Sequence, residues 1–205
     1  MLKFWELAPS PNNTKVRMAL RFKGIEFEVV PVDPINRQPL IDVSGQDGTP
    51  VIEDRGIVLP ESEGILAYLE ANYRDKPALF PADKIGRREC NQWKQRLDDK
   101  VARHWAPVFF HAIGLRDALD EGARASFGES LRWLEDELGE KESFGGTDRP
   151  IDDLRVAEWV SYALPSAGIV ERVPVFGKTK ELFGVEPGRF PKVEKLIAPW
   201  NERLQ

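Results

Sequence analysis

The chain has 205 residues, 41% of them hydrophobic and 31% charged, which is ordinary globular usage and long enough for one large or two small domains. A net charge of −5 and a pI near 5.3 give the whole chain no pull toward nucleic acid or an anionic membrane, and no local basic patch supplies one. The single cysteine, Cys90, excludes an internal disulfide and protein-dithiol chemistry. Met1 to Leu7 carries Lys3 and Glu6 and runs into Pro9 and Pro11, so it reads as no secretory leader. No apolar run approaches the roughly 20 residues that span a bilayer. The cytoplasm is the expected compartment, with no membrane and no nucleic-acid partner.

Leu2 to Leu7 reads as a short strand, interrupted by Pro9-Ser10-Pro11-Asn12-Asn13 before Thr14 to Lys23 takes up helical spacing, which Gly24 ends. Glu26 to Val32 alternates as a strand does, and an irregular stretch after Pro31, Pro34 and Pro39 holds a short helix around Leu40. Val51-Ile52-Glu53 and Ile57-Val58-Leu59 flank Asp54-Arg55-Gly56 as a hairpin. Ser62 to Asn72 then sets Ile65, Leu66 and Leu69 on one helical face. This is an α/β order, and its first connection requires a crossover that makes two strands parallel.

Strands stop near Asn72, so residues 1–76 are expected to form the first domain, 77–84 a proline-containing link and 85–205 an all-helical domain. Asp83 is suited to cap a long helix through Trp93, Leu97 and Val101 that Pro107 should kink or end. Further helices are expected over Glu121 to Leu138, Asp152 to Leu164, Phe176 to Leu182 and Lys192 to Leu204, with a glycine break at Gly145-Gly146.

Three short stretches carry chemistry. Ser10-Pro11-Asn12-Asn13 stands at a helix start, where free N–H groups and the positive end of the helix dipole favour an anion, including a thiolate. A thiol of ordinary pKa near 8.5 is only about 3% ionised at neutral pH, and lowering it by ~2 units takes roughly 2.7 kcal/mol. The competing reading of these residues is a plain helix cap. Gly48-Thr49-Pro50-Val51 precedes a strand, where a cis proline would expose Thr49 to pair with an extended peptide; a simple turn is the alternative. In Leu59-Pro60-Glu61-Ser62-Glu63-Gly64, Ser62 offers a hydroxyl and an N–H to a carboxylate and Glu61 an acceptor to an ammonium, as an α-amino-acid head group requires. An acidic helix cap is the alternative there.

In this order, with an all-helical second half, the three stretches resemble the glutathione S-transferase superfamily over the whole chain. The resemblance implies a thioredoxin-like α/β first domain, an all-α second domain, and glutathione lying across Thr49, Glu61 and Ser62 with Pro50 cis. Ser10 then falls where serine-type classes carry their thiol-activating serine. Ser10-Pro11-Asn12-Asn13-Thr14-Lys15-Val16 also resembles the Thr-Pro-Asn-Gly pattern of bacterial nu-class and yeast prion-type relatives, which makes Asn12 the second catalytic candidate. Both side chains are neutral, so they would stabilise the thiolate by hydrogen bonding.

The chain departs from the family in two places. The common Asn-Pro-x-Gly-Lys-Val-Pro approach is here Ser44-Gly45-Gln46-Asp47-Gly48-Thr49-Pro50, without the lysine that contacts the glycyl carboxylate, leaving Gln46, Arg37 or Gln38 as substitutes. Pro150-Ile151-Asp152-Asp153 keeps the acidic member of a capping box at Asp153 but lacks its hydroxyl.

Trp105, Phe109, Phe110 and His111 are candidates to line a hydrophobic electrophile site, with core packing or a dimer contact as alternatives. His104 and His111 lack a third ligand and suggest no metal. The resemblance therefore implies glutathione as co-substrate, a hydrophobic electrophile as its acceptor and a homodimer. Disulfide or peroxide reduction and a noncatalytic protein-interaction role are the alternatives.

Overall fold

The computed structural model describes all residues, 1–205. They form two compact units, Met1–Leu79 and Phe80–Gln205.

In the first unit the elements are β1 (Leu2–Glu6), α1 (Pro11–Phe22), β2 (Phe27–Pro31), α2 (Gln38–Ser44), β3 (Val51–Asp54), β4 (Ile57–Pro60) and α3 (Ser62–Asn72). The sheet order is β2-β1-β3-β4, with β1 and β2 parallel across the α1 crossover and the other pairs antiparallel. Pro31 is tolerated because β2 is an edge strand.

Alternation along β1 sends Leu2, Phe4 and Glu6 into the interior. There α1 contributes Val16, Met18, Ala19 and Leu20, and α3 contributes Ile65, Leu66 and Leu69, all fully buried. Burying such side chains contributes about 1.5–3 kcal/mol each. Trp5 and Leu7 pack instead on the Val32, Leu40 and Val51 cluster, which explains why the short α2 forms.

Charged groups fasten the first unit where apolar packing runs out. Arg17 donates from Nε and Nη2 to the two Glu6 oxygens at 2.7 and 2.5 Å, with both residues only 4% exposed. The Lys23 ammonium, also buried, donates to Glu70 at 3.0 Å and to the Pro77 carbonyl at 2.8 Å.

Asp54 accepts from the phenols of Tyr68 at 3.0 Å and Tyr73 at 2.7 Å. Burial first, and then this carboxylate, push the Tyr73 phenol from its ordinary 10.0 up to about 12. Because the folded value lies above the ordinary one, the associated stability is complete below 10.0 and is lost as pH rises toward 12. Ultraviolet titration is expected to show Tyr73 still protonated well above pH 10.0, and Asp54→Asn to lower its midpoint. An unchanged midpoint would remove Asp54 as a cause.

The second unit contains α4 (Lys84–Leu97), a π-helical turn (Asp98–Ala102), α5 (Arg103–Ala112), α6 (Glu121–Leu138), α7 (Pro150–Val160), α8 (Ala167–Arg172), α9 (Val175–Phe183) and α10 (Pro191–Glu202). Asp83 caps α4 as expected, accepting from the N–H groups of Ile85 and Gly86 at 2.9 Å each. Pro107 does not end the helix, which runs on to Ala112. The irregularity lies upstream, in the π turn, whose Lys100 carbonyl accepts from the Ser130 hydroxyl of α6.

No side chain caps α7, and Asp153 instead binds the loop before it. Ser143 donates to Asp153 at 2.6 Å and the Phe144 N–H donates to the same carboxylate at 2.8 Å, holding the preceding loop on α7. Ala167–Arg172 is a helix the sequence reading did not anticipate. No helix is long and apolar enough to cross a membrane.

Candidate functional site

Ser10 is the N-cap of α1, with extended backbone (φ −76°, ψ 132°), and Pro11 occupies the first turn. Proline has no N–H to leave unsatisfied and its fixed φ suits a helix start, so α1 begins at Pro11 instead of the expected Thr14. The Ser10 hydroxyl makes no capping bond to the helix, while its own N–H donates to the Leu7 carbonyl at 2.9 Å. Ser10 is therefore held by its backbone and keeps its side-chain donor uncommitted. The N–H groups of Asn12 and Asn13 follow at the positive end of the helix dipole.

At the start of α3, Glu61 adopts φ 71° and ψ 119°, a conformation that costs a non-glycine residue about 1–3 kcal/mol and gathers at functional sites. Glu61 is exposed and Ser62 is 6% exposed at the first helical position. The Ser62 hydroxyl donates to Asn12 Oδ1 at 3.2 Å, so the starts of α1 and α3 meet. Beside this contact, the buried Lys15 ammonium pairs with Glu63 at 3.0 Å. These links leave Ser10, Asn12, Glu61 and Ser62 along one edge of the first unit, offering hydroxyl, amide, carboxylate and backbone N–H groups together.

The Thr49–Pro50 peptide bond is cis. Thr49 is half-buried just before β3, and its hydroxyl accepts from Asn13 Nδ2 at 2.8 Å. Asn13 was not singled out by sequence reasoning. Its signal lay in its position, the third of α1, from which a side chain can reach back past the helix cap.

Each candidate for the missing lysine is engaged. Gln46 donates to the Gly48 carbonyl at 2.9 Å, Gln38 to Asp42 at 2.7 Å, and Arg37 to the Asp47 and Pro34 carbonyls at 3.0 and 3.3 Å. Of these, only Arg37 carries charge, and its bond to Asp47 places it on the loop leading to Thr49.

In the second unit, Trp105 and Phe109 are core residues, 2% and 4% exposed. Trp105 stacks on Phe109 at 4.4 Å, and both meet Tyr162 edge-on at 4.9 and 5.3 Å. Their hydrophobic area goes into packing the helices, which leaves almost none for a ligand. Phe110 is 41% exposed, and half-buried His111 has its Nδ1 3.0 Å from the Arg116 carbonyl. The Cys90 thiol is buried, and desolvation followed by Asp152 pushes it up to about 12, so it is no nucleophile.

Residues 6–77 match the family model described as the N-terminal domain of glutathione S-transferase. Glutathione S-transferase U22 of Arabidopsis thaliana is 29% identical over 164 residues, 79% of this chain and 72% of that protein. A probable glutathione S-transferase of Nicotiana tabacum is 28% identical over 217 residues, 100% of this chain and 93% of its own length. Among solved structures, a rice glutathione S-transferase in complex with glutathione superposes with a TM-score of 0.69 at 24% identity, covering 98% of this chain and 85% of that one. The Tau class enzyme of mango, Mangifera indica, gives 0.70 at 20% identity, covering 99% and 94%.

Proposed function

We propose that this chain is a member of the glutathione S-transferase superfamily that binds glutathione along the edge defined by Ser10, Thr49, Glu61 and Ser62 and adds the glutathione thiolate to a hydrophobic electrophile. The observation that carries the sulfur chemistry is the Ser10 hydroxyl, which caps nothing although it stands at the helix start. A cap would engage the oxygen as an acceptor and hold the side chain toward the helix; without it the hydroxyl is free to turn and donate to a ligand. Asn12 Oδ1 accepts from Ser62, which fixes the amide beside α3 and leaves its Nδ2 as a second donor. Ser10 is the thiolate donor in this reading, a serine-type assignment, and Asn12, held by Ser62, is the second candidate.

The γ-glutamyl head group fits the other end. Its carboxylate takes the first N–H of α3 and the Ser62 hydroxyl, which turns from Asn12 Oδ1 to reach it, and its ammonium takes Glu61. The backbone of Thr49 pairs with the cysteinyl part, and Arg37 with Gln46 takes the glycyl carboxylate. Glutathione carries the only reactive sulfur in this scheme, because Cys90 is buried. In conjugation, the glutathione sulfur forms a bond to the electrophilic carbon, the leaving group departs with its electron pair, and the thiol proton goes to solvent.

Of the aromatic group read from the sequence, Phe110 and His111 are the members with surface to offer an electrophile. A cytoplasmic homodimer is the proposed working form, and sedimentation of the purified protein tests it.

Calorimetric titration with glutathione tests the binding site. Ser62→Ala is expected to weaken binding about 10- to 100-fold, the range for losing a hydrogen bond to a charged group. Unchanged affinity in a folded variant would move the head group away from α3. Turnover of chlorodinitrobenzene then separates an enzyme from a noncatalytic binder, and oxidised glutathione as product would indicate disulfide or peroxide reduction instead.

A further inference from the structure

We infer that Asn13 is a positioning residue that fixes the spacing between the loop bearing the thiol-activating hydroxyl and the loop along which the tripeptide lies. The inference rests on the glutathione reading above.

The antiparallel ladder between β1 and β3 ends with Trp5 opposite Val51. Pro50 has no N–H and cannot continue it. Two residues farther along each strand stand Leu7 and Thr49. Between them lies the Asn13 side chain: its Oδ1 accepts from the Leu7 N–H at 3.3 Å, and its Nδ2 donates to the Thr49 hydroxyl at 2.8 Å. A side-chain amide thus bridges the strands where the backbone ladder stops.

Asn13 is 0% exposed. Its amide satisfies the N–H of half-buried Leu7, which no backbone carbonyl takes. The loop so held leads directly to Ser10, whose N–H donates to the Leu7 carbonyl, so Leu7 is fixed through its N–H and its C=O. Asn12 reaches the start of α3 from the preceding position. The two adjacent asparagines therefore tie the α1 start to both other segments of the site, Asn12 to Ser62 and Asn13 to Thr49.

Asn13 lies under the site and contacts it only through Leu7 and Thr49, so its loss should move the Ser10 donor relative to the sulfur. The test measures glutathione affinity and the pH midpoint of the bound thiolate in wild type, Asn13→Ala, Asn13→Asp and Thr49→Val. Asn13→Ala is expected to bind glutathione about tenfold more weakly and to raise the thiolate midpoint by about one pH unit. Asn13→Asp keeps an acceptor for Leu7 and, with the Thr49 hydroxyl now donating, a bond to Thr49, so it should recover most of both losses. Thr49→Val should shift both readouts in the same direction as Asn13→Ala.

A merely structural role would lower the melting temperature and leave the thiolate midpoint in place. Affinity and midpoint unchanged in folded Asn13→Ala would overturn the inference, and if that variant does not fold, the same outcome in Thr49→Val overturns it. Wild type that fails to bind glutathione would instead sink the functional reading.

Discussion

Ser10→Ala is expected to lower conjugation turnover about 100-fold, the loss typical of removing one preorganised donor from a developing or bound anion. The variant should fold normally, because the serine hydroxyl makes no bond to the helix and the neighbouring backbone bonds at Leu7 and Thr14 do not involve its side chain. The loss should appear as an upward shift of roughly two units in the bound thiol, since each unit corresponds to about 1.36 kcal/mol of preference for the thiolate. At fixed pH above the variant's new midpoint, turnover should approach that of wild type, because the thiolate then forms without help. Asn12→Ala should act mainly on glutathione affinity, because its Oδ1 holds the Ser62 hydroxyl. The opposite pattern, a thiolate shift in Asn12→Ala alone, would transfer the sulfur contact to the asparagine.

The largest stability effect is expected at the Arg17–Glu6 pair. Arg17 also lies over the rings of Phe4 and Phe27, 6.0 and 5.5 Å from their centroids, so the guanidinium is packed as well as paired. Arg17→Met removes two guanidinium bonds from a buried carboxylate and should cost about 3–5 kcal/mol. Adding Glu6→Gln removes that charge and should recover a substantial part of the loss. Denaturant unfolding of the single and double variants measures both values. A single variant within about 1 kcal/mol of wild type would mean that other partners or water satisfy Glu6 once the guanidinium is gone.

The α/β order, the hairpin and the two-unit division were legible because periodicity and turn chemistry change along the chain at Gly24, Gly56 and Asn72. Helix starts were less so, for one recurring reason. α1, α7 and α10 each begin on a proline, at Pro11, Pro150 and Pro191, and a reading that treats proline as a breaker starts each helix one to three residues late. Pro107 sits inside α5 and does not end it, and the irregularity of that helix lies just upstream in the π turn.

Within the candidate site, Ser10, Asn12 and Ser62 could be named from local sequence because each stands where a helix begins. The contact between Asn12 and Ser62, 50 positions apart, could not. Asn13 escaped notice because its role depends on where the β1–β3 ladder ends, a property of register across the sheet. Between ligand surface and core packing, the two readings open for Trp105 and Phe109, burial against Tyr162 favours the core; helical spacing tells which residues share a face, and not which face meets the core.

Calorimetric titration of the wild-type protein with glutathione, followed by difference absorbance of the bound thiolate at neutral pH, tests the central claim most directly. Saturable binding with a thiolate signal is the expected result. The absence of binding at millimolar glutathione would contradict it and leave the same fold to serve a different ligand.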